Sequence, residues 1–105
     1  MFEAPQLDEV AKGLLEAANL IKERGWWNGK IQPEERQICA AMAIREIFGD
    51  NRRLDCEEAF IRLAKQAGVA VRGDIPLWND SQDAHTVIRT MQEAAYNHSK
   101  LWNQL

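Results

Sequence analysis

The side chains in this sequence that could do chemistry are two cysteines, two histidines, four tryptophans and several adjacent carboxylates. Cys39 stands between Ile38 and Ala40 and reads as a small buried hydrophobe rather than a nucleophile. Cys56 is placed differently. Near a helix N-terminus the helix dipole would favour its thiolate, but Asp55, Glu57 and Glu58 oppose that charge. His85 and His98 are 13 positions apart, about 220° around an ideal helix, so they share no metal-binding face. Neither a His-x-x-x-His nor a Cys-x-x-Cys pair is present, which argues against structural zinc. Asp80, Asp83 and His85 are close enough in sequence to hold a cation, yet helix capping is the commoner use of such residues. Glu34-Glu35 and Glu57-Glu58 sit at expected helix starts, where they suit the dipole and do not form an acid/base dyad. There is no glycine-rich phosphate loop and no nucleophile elbow. No catalytic, cofactor-binding or metal-binding residue is assigned.

The tryptophans carry what remains. Trp78-Asn79-Asp80 has a structural reading, in which Trp78 packs beneath a crossover while Asn79 and Asp80 bond their own backbone or cap the last helix. In the functional reading, Trp78 and Trp26 line a groove and Asp80 supplies its charged contact. Trp26 and Trp27 are adjacent in a turn, so one is expected in the core and the other exposed. Trp102, with Leu101 and Leu105, either completes the last helix or docks on a partner or a second copy of the chain. The candidate partner-binding residues are Trp27, Trp78, Asp80 and Trp102.

These residues must be positioned by helices. Leu7, Val10, Ala11, Leu14, Leu15, Ala18 and Ile21 make one apolar stripe, predicting a first helix over about 6–24 that Gly25 stops. Asp8 and Lys12 fall on its wet side as an i, i+4 pair. Pro33-Glu34-Glu35 resembles a helix first turn, predicting a buried second helix over about 34–48. Asp55 can cap a third helix that Gly68 ends. Val69-Ala70-Val71 could pair as a very short strand, and residues 72–77 read as an extended connection in which Pro76 holds Ile75 out of the helical region. A fourth helix is expected to start between Asp80 and Asp83 and to run to the C-terminus. The expected architecture is all-α: a compact four-helix domain with an extended crossover before the last helix.

Composition agrees with that class. The chain has 105 residues, 46% hydrophobic and 28% charged, with three Pro and six Gly. That is one domain with its own core, and it excludes disorder and low complexity. The net charge is -3. Residues 30–72 hold eight bases against seven acids, and no third of the chain is strongly basic. Nucleic-acid binding, which rests on phosphate neutralisation, is therefore disfavoured; Arg36, Arg45, Arg52, Arg53, Arg62 and Lys65 would have to carry it. No apolar run is long enough to span a membrane, and Met1–Pro5 lacks a cationic region leading into an apolar one. A reducing cytoplasmic setting with both thiols free is expected.

Three landmarks occur in order: Arg24-Gly25-Trp26, then Cys39-Ala40-Ala41-Met42-Ala43, then Trp78-Asn79-Asp80. In this order, over about residues 8–96, the chain resembles a family of small domains of unknown function from bacteria, notably actinobacteria, and their phages. The resemblance implies a fold-sized unit in a phage or mobile-element context, and no activity or cofactor. The expected function is a non-catalytic interaction domain that presents a Trp-bearing surface to another protein, as an accessory factor or inhibitor. The alternatives are a small-ligand domain or minimal enzyme with a pocket between turns 25–29 and 78–80, and a weak nucleic-acid binder.

Overall fold

The computed structural model describes residues 7–30, 36–70 and 72–99. Helix α1 spans Glu9–Arg24. It begins after Asp8, whose backbone is extended and whose Oδ1 accepts the Ala11 N–H at 2.9 Å. That bond satisfies one of the donors a helix start leaves open. Asp8 is therefore a cap and not a wet-face partner of Lys12, which instead lies 3.4 Å from Glu9.

Helix α2 spans Ala40–Phe48, much shorter than the expected 34–48. Pro33-Glu34-Glu35 lies outside the described residues. The residues just before α2 are not helical, because their backbone is committed elsewhere. Arg36 has a φ of 76°. The Trp27 N–H donates to the Ile38 carbonyl at 3.0 Å, and the Ile38 N–H donates to the Gly25 carbonyl at 2.9 Å. This parallel bridge between Trp26 and Ile38 is the β pairing seen among the described residues.

A 3-10 turn, Asp50–Arg52, leads into helix α3, Arg53–Ala67. Asp55 thus sits within the first turn instead of capping it, and lies 3.5 Å from Arg52. At the other end Gly68 is left-handed, and the Val69 N–H returns to the Ala64 carbonyl at 3.0 Å. Val69 is consumed in closing the helix, so the expected strand does not form at Val69 and Ala70; Val71 lies outside the described residues.

The expected extended crossover is helical. A second 3-10 turn, Arg72–Asp74, precedes a short helix α4, Ile75–Asp80. Ile75 is helical despite the following proline. Pro76 falls in the first turn, where its missing N–H leaves no bond unmade. Helix α5 spans Ala84–His98, with Asp83 as its cap through a 2.8 Å bond from the Thr86 N–H. Ser99 is extended, which ends α5 there. Residues 100–105, including Leu101, Trp102 and Leu105, lie outside the described residues. The fold is all-α, with five helices among the described residues: four of nine residues or more, and the six-residue α4 where the extended crossover was expected. None of them is long and apolar enough to cross a membrane.

Helix α1 packs against α5, α2 and α3, and α4 rests on α2 and α3. Leu14, Ile21, Ile44, Leu63, Val87 and Met91 are fully buried, each contributing roughly 1.5–3 kcal/mol. Close approach depends on small residues. A Cβ on Gly13 of α1 would stand inside the Phe48 ring of α2.

A second tie joins three elements. Arg62 of α3 is 3% exposed. Its two terminal nitrogens reach both oxygens of Asp8 at 2.8 Å each. The Asp8 N–H in turn donates to the Ser99 hydroxyl at 3.1 Å. One carboxylate therefore caps α1, neutralises a buried guanidinium and sits beside the end of α5.

Candidate functional site

The three sequence landmarks meet in space. Asn79, on the inner side of α4, is fully buried. Its Oδ1 accepts the Trp26 indole N–H at 2.9 Å and the Ala40 backbone N–H at 3.1 Å. Its Nδ2 donates to the Trp27 carbonyl at 3.0 Å and to Asp80 Oδ1 at 3.2 Å. An amide side chain offers two acceptor positions and two donors, and all four are used. Ala40 opens α2, so its N–H is one of the donors a helix start leaves open. The cap residue Cys39 makes no side-chain capping bond, and Asn79 provides the acceptor from 39 positions away.

Asn79 thus joins the turn after α1, the start of α2 and the end of α4. The sequence reading had Asn79 and Asp80 bonding their own backbone or capping the last helix. The cap is Asp83, and the Asn79 side chain makes long-range bonds. Asp80 also explains Gly29, because a Cβ there would overlap the Asp80 carboxylate. Gly29 has a φ of 76°, a region that L side chains rarely adopt, so glycine is required on two counts. Arg24 completes the turn: its Nε–H donates to the Arg36 carbonyl at 2.7 Å and its guanidinium pairs with Glu46.

A family model described as a family of unknown function (DUF6197) matches residues 5–97. The chain belongs to this family. No curated protein and no solved structure matches it significantly. For this DUF6197 member, the R-G-W, Cys-helix and W-N-D landmarks are three parts of one structural knot, with Asn79 at its centre.

The predicted site residues divide around that knot. Trp26, Trp27 and Trp78 are all half-buried and pack against the core, so the expected split of Trp26 and Trp27 into one core and one exposed residue does not occur. Asp80 is half-buried beside Asn79 and Gly29. Trp102 lies outside the described residues. Turns 25–29 and 78–80 are neighbours, joined by the hydrogen bonds of the Asn79 side chain to Trp26 and Trp27. A depression of about 80 Å³ beside turn 25–29 is lined by Trp26, Trp27, Asn28 and Gln37, with no residue of turn 78–80, against roughly 300 Å³ or more for a small-molecule pocket.

Other candidates are also settled into structure. Arg62 is buried against Asp8, which removes it from an open basic surface, whereas Arg52 lies over the Phe48 ring at 4.7 Å with its side chain still partly exposed. Cys39 is buried and Cys56 half-buried, and neither is in a disulfide. Cys56 lines a depression with Arg45, Arg53, Asp50 and Glu57, where charges of both signs balance. Among the described residues, no group of three or more His, Cys, Asp or Glu could hold a metal ion. The Asp83 carboxyl is held below its ordinary value by the backbone and side-chain hydrogen bonds from Thr86.

Several exposed apolar residues escaped the sequence reading, among them Leu54, Ile61, Leu77 and Tyr96. Leu77 is 72% exposed on α4, between exposed Pro76 and half-buried Trp78. Leu54 is more exposed still, but it is a single apolar residue among Asp50, Asn51, Arg52, Arg53 and Asp55. Isolated exposed apolar residues are ordinary; contiguous ones are not. The signal for Leu77 was its position: Ile75 and Asn79 are one helical turn apart and face inward, which turns Leu77 outward.

Proposed function

We propose that this domain is a non-catalytic protein-interaction module that uses the outward side of α4 and the flanking tryptophan turn. The observation that carries this reading is Leu77, a large apolar side chain left exposed on a helix whose back is locked by Asn79. A rigid platform lowers the ordering cost of binding, so an exposed apolar side chain on it is an effective anchor. Trp27, Trp78 and Asp80 border the platform, and their partial exposure lets them rim the contact. Trp102 belongs to the same proposal only as a contact from the chain's end. The domain acts in this reading as an accessory factor or inhibitor, as the phage or mobile-element context of the family resemblance implies.

The test is capture from a lysate of the source organism, with parent protein beside folded Leu77→Asp and Trp78→Ala variants. A partner held by the parent and lost from both variants supports the reading. Equal capture by all three contradicts it, as does the absence of any captured partner. A second copy as the captured partner would make the module a homodimer.

A further inference from the structure

We infer that Asn28 is a self-modifying site: the Gly29 backbone nitrogen attacks its side-chain amide, and the product loosens the knot around Asn79. The chain reads Asn28-Gly29 at the tip of the turn between α1 and α2. Glycine has no Cβ to hinder the ring closure that such an attack requires. Every other asparagine in the sequence precedes a residue with a full side chain. Asn19 and Asn97 also lie inside helices, and Asn79 has its whole amide engaged. Asn28 is half-buried outside any helix, and Gly29 beside it is exposed. Among the described residues neither the Gly29 N–H nor Asn28 Nδ2 donates a hydrogen bond. Nucleophile and leaving group are therefore both unheld.

Asn28 Oδ1 accepts the Lys30 N–H at 3.0 Å, which folds the side chain back along its own turn. The same bond places a donor where negative charge develops when Cγ is attacked. The Gly29 nitrogen gives up its proton and bonds to Cγ; the Cγ–Nδ2 bond breaks and ammonia leaves. The result is a five-membered succinimide, which water opens. Addition at Cγ leaves an aspartyl residue. Addition at the main-chain carbonyl leaves an isoaspartyl residue, whose chain runs through Cβ and Cγ and is one carbon longer. Water is the co-reactant, and no electron is transferred. Both neighbours of that insertion are fixed. The Trp27 carbonyl accepts from Asn79, and Gly29 lies against the Asp80 carboxylate with no room for a Cβ. An extra main-chain carbon between them displaces one or the other. Either product also adds a carboxylate next to the glycine that Asp80 touches.

The experiment stores the intact folded chain at neutral pH, below its melting temperature, and maps its peptides with a method that separates aspartyl from isoaspartyl. Position 28 should convert about tenfold or more faster than Asn51 or Asn97, with isoaspartyl among the products. Asn28→Gln should show no conversion there, because its longer side chain must close a larger ring. The converted fraction, isolated by anion exchange, should melt several degrees below the starting protein. Its tryptophan fluorescence should move to longer wavelength as the turn loosens. A synthetic peptide of residues 26–30 gives the rate of the same sequence without the fold. Position 28 left intact in the folded chain while the peptide converts completely overturns the site. Conversion at Asn51 or Asn97 at an equal rate overturns it as well. Conversion at position 28 with an unchanged melting temperature overturns its tie to the knot.

Discussion

The Asn79 amide oxygen lies 2.9 Å from the Trp26 indole nitrogen, although 53 positions separate the two residues. The same oxygen holds the first N–H of α2, and the amide nitrogen holds the carbonyl of Trp27. One buried side chain therefore fixes the tryptophan turn, the start of a core helix and the inner side of the helix that exposes Leu77.

Asn79→Leu should destabilise the protein by roughly 2–5 kcal/mol, because two donors and a carbonyl lose their partner in a buried site. Asn79→Asp should also destabilise it, since it places a charge there and loses the donors to Trp27 and Asp80. Chemical denaturation measures both. Tryptophan fluorescence should move to longer wavelength in the native baseline as the Trp26 turn loosens.

Arg62→Leu should cost about 3–5 kcal/mol, because it leaves the Asp8 carboxylate without its bidentate partner. Asp8→Ser keeps a capping oxygen for α1 while removing the charge. The double variant should then be less destabilised than the sum of the two single ones. A double-mutant cycle by urea unfolding gives the coupling, and simple additivity would contradict the ion-pair account.

Gly13→Ala reverses the ordinary rule. Alanine is favoured over glycine in a helix interior by about 1 kcal/mol, yet at Gly13 its Cβ meets the buried Phe48 ring. Overpacking of this kind costs roughly 1–3 kcal/mol, so the variant should melt below the parent. Adding Phe48→Leu should recover part of the loss.

Much of this fold was legible from helical periodicity, because α1, α3 and α5 each carry an apolar stripe that has no competing use. The start of α2 was not. Ile38 fits the stripe of a helix that begins earlier, but its backbone is bonded to Gly25 and Trp27 instead. Local pattern cannot reveal a bond to a segment a dozen positions away. Pro76 misled in the same manner, since a proline that disfavours helix before it also suits a helix's first turn. At the candidate site the tryptophans stood out by residue type. Asn79 looked like a turn residue, and only its partners, 39 to 53 positions distant, reveal its role.

His98 contributes to the pH response. Burial lowers its pKa first, and Lys65 and Arg62 lower it further, against a smaller opposing effect of Glu58. A histidine whose folded pKa is depressed binds its proton more readily when unfolded. Its contribution to stability is complete above the ordinary histidine value, about 6.5, and declines as pH falls through the lowered folded value. Thermal unfolding between pH 7.5 and 5 should show this decline, and His98→Gln should flatten it. An unchanged slope in His98→Gln would assign the effect to other groups.

The central claim is that Leu77 serves binding and not the fold. Leu77→Asp tests it when thermal stability and partner capture are measured on the same preparation. A surface substitution that touches nothing structural changes stability by no more than about 0.5 kcal/mol, so the melting temperature should stay close to the parent's. Capture should fall about tenfold or more, as for the loss of an apolar anchor. A stable variant that captures its partner as well as the parent does would contradict the account, and so would a variant that unfolds.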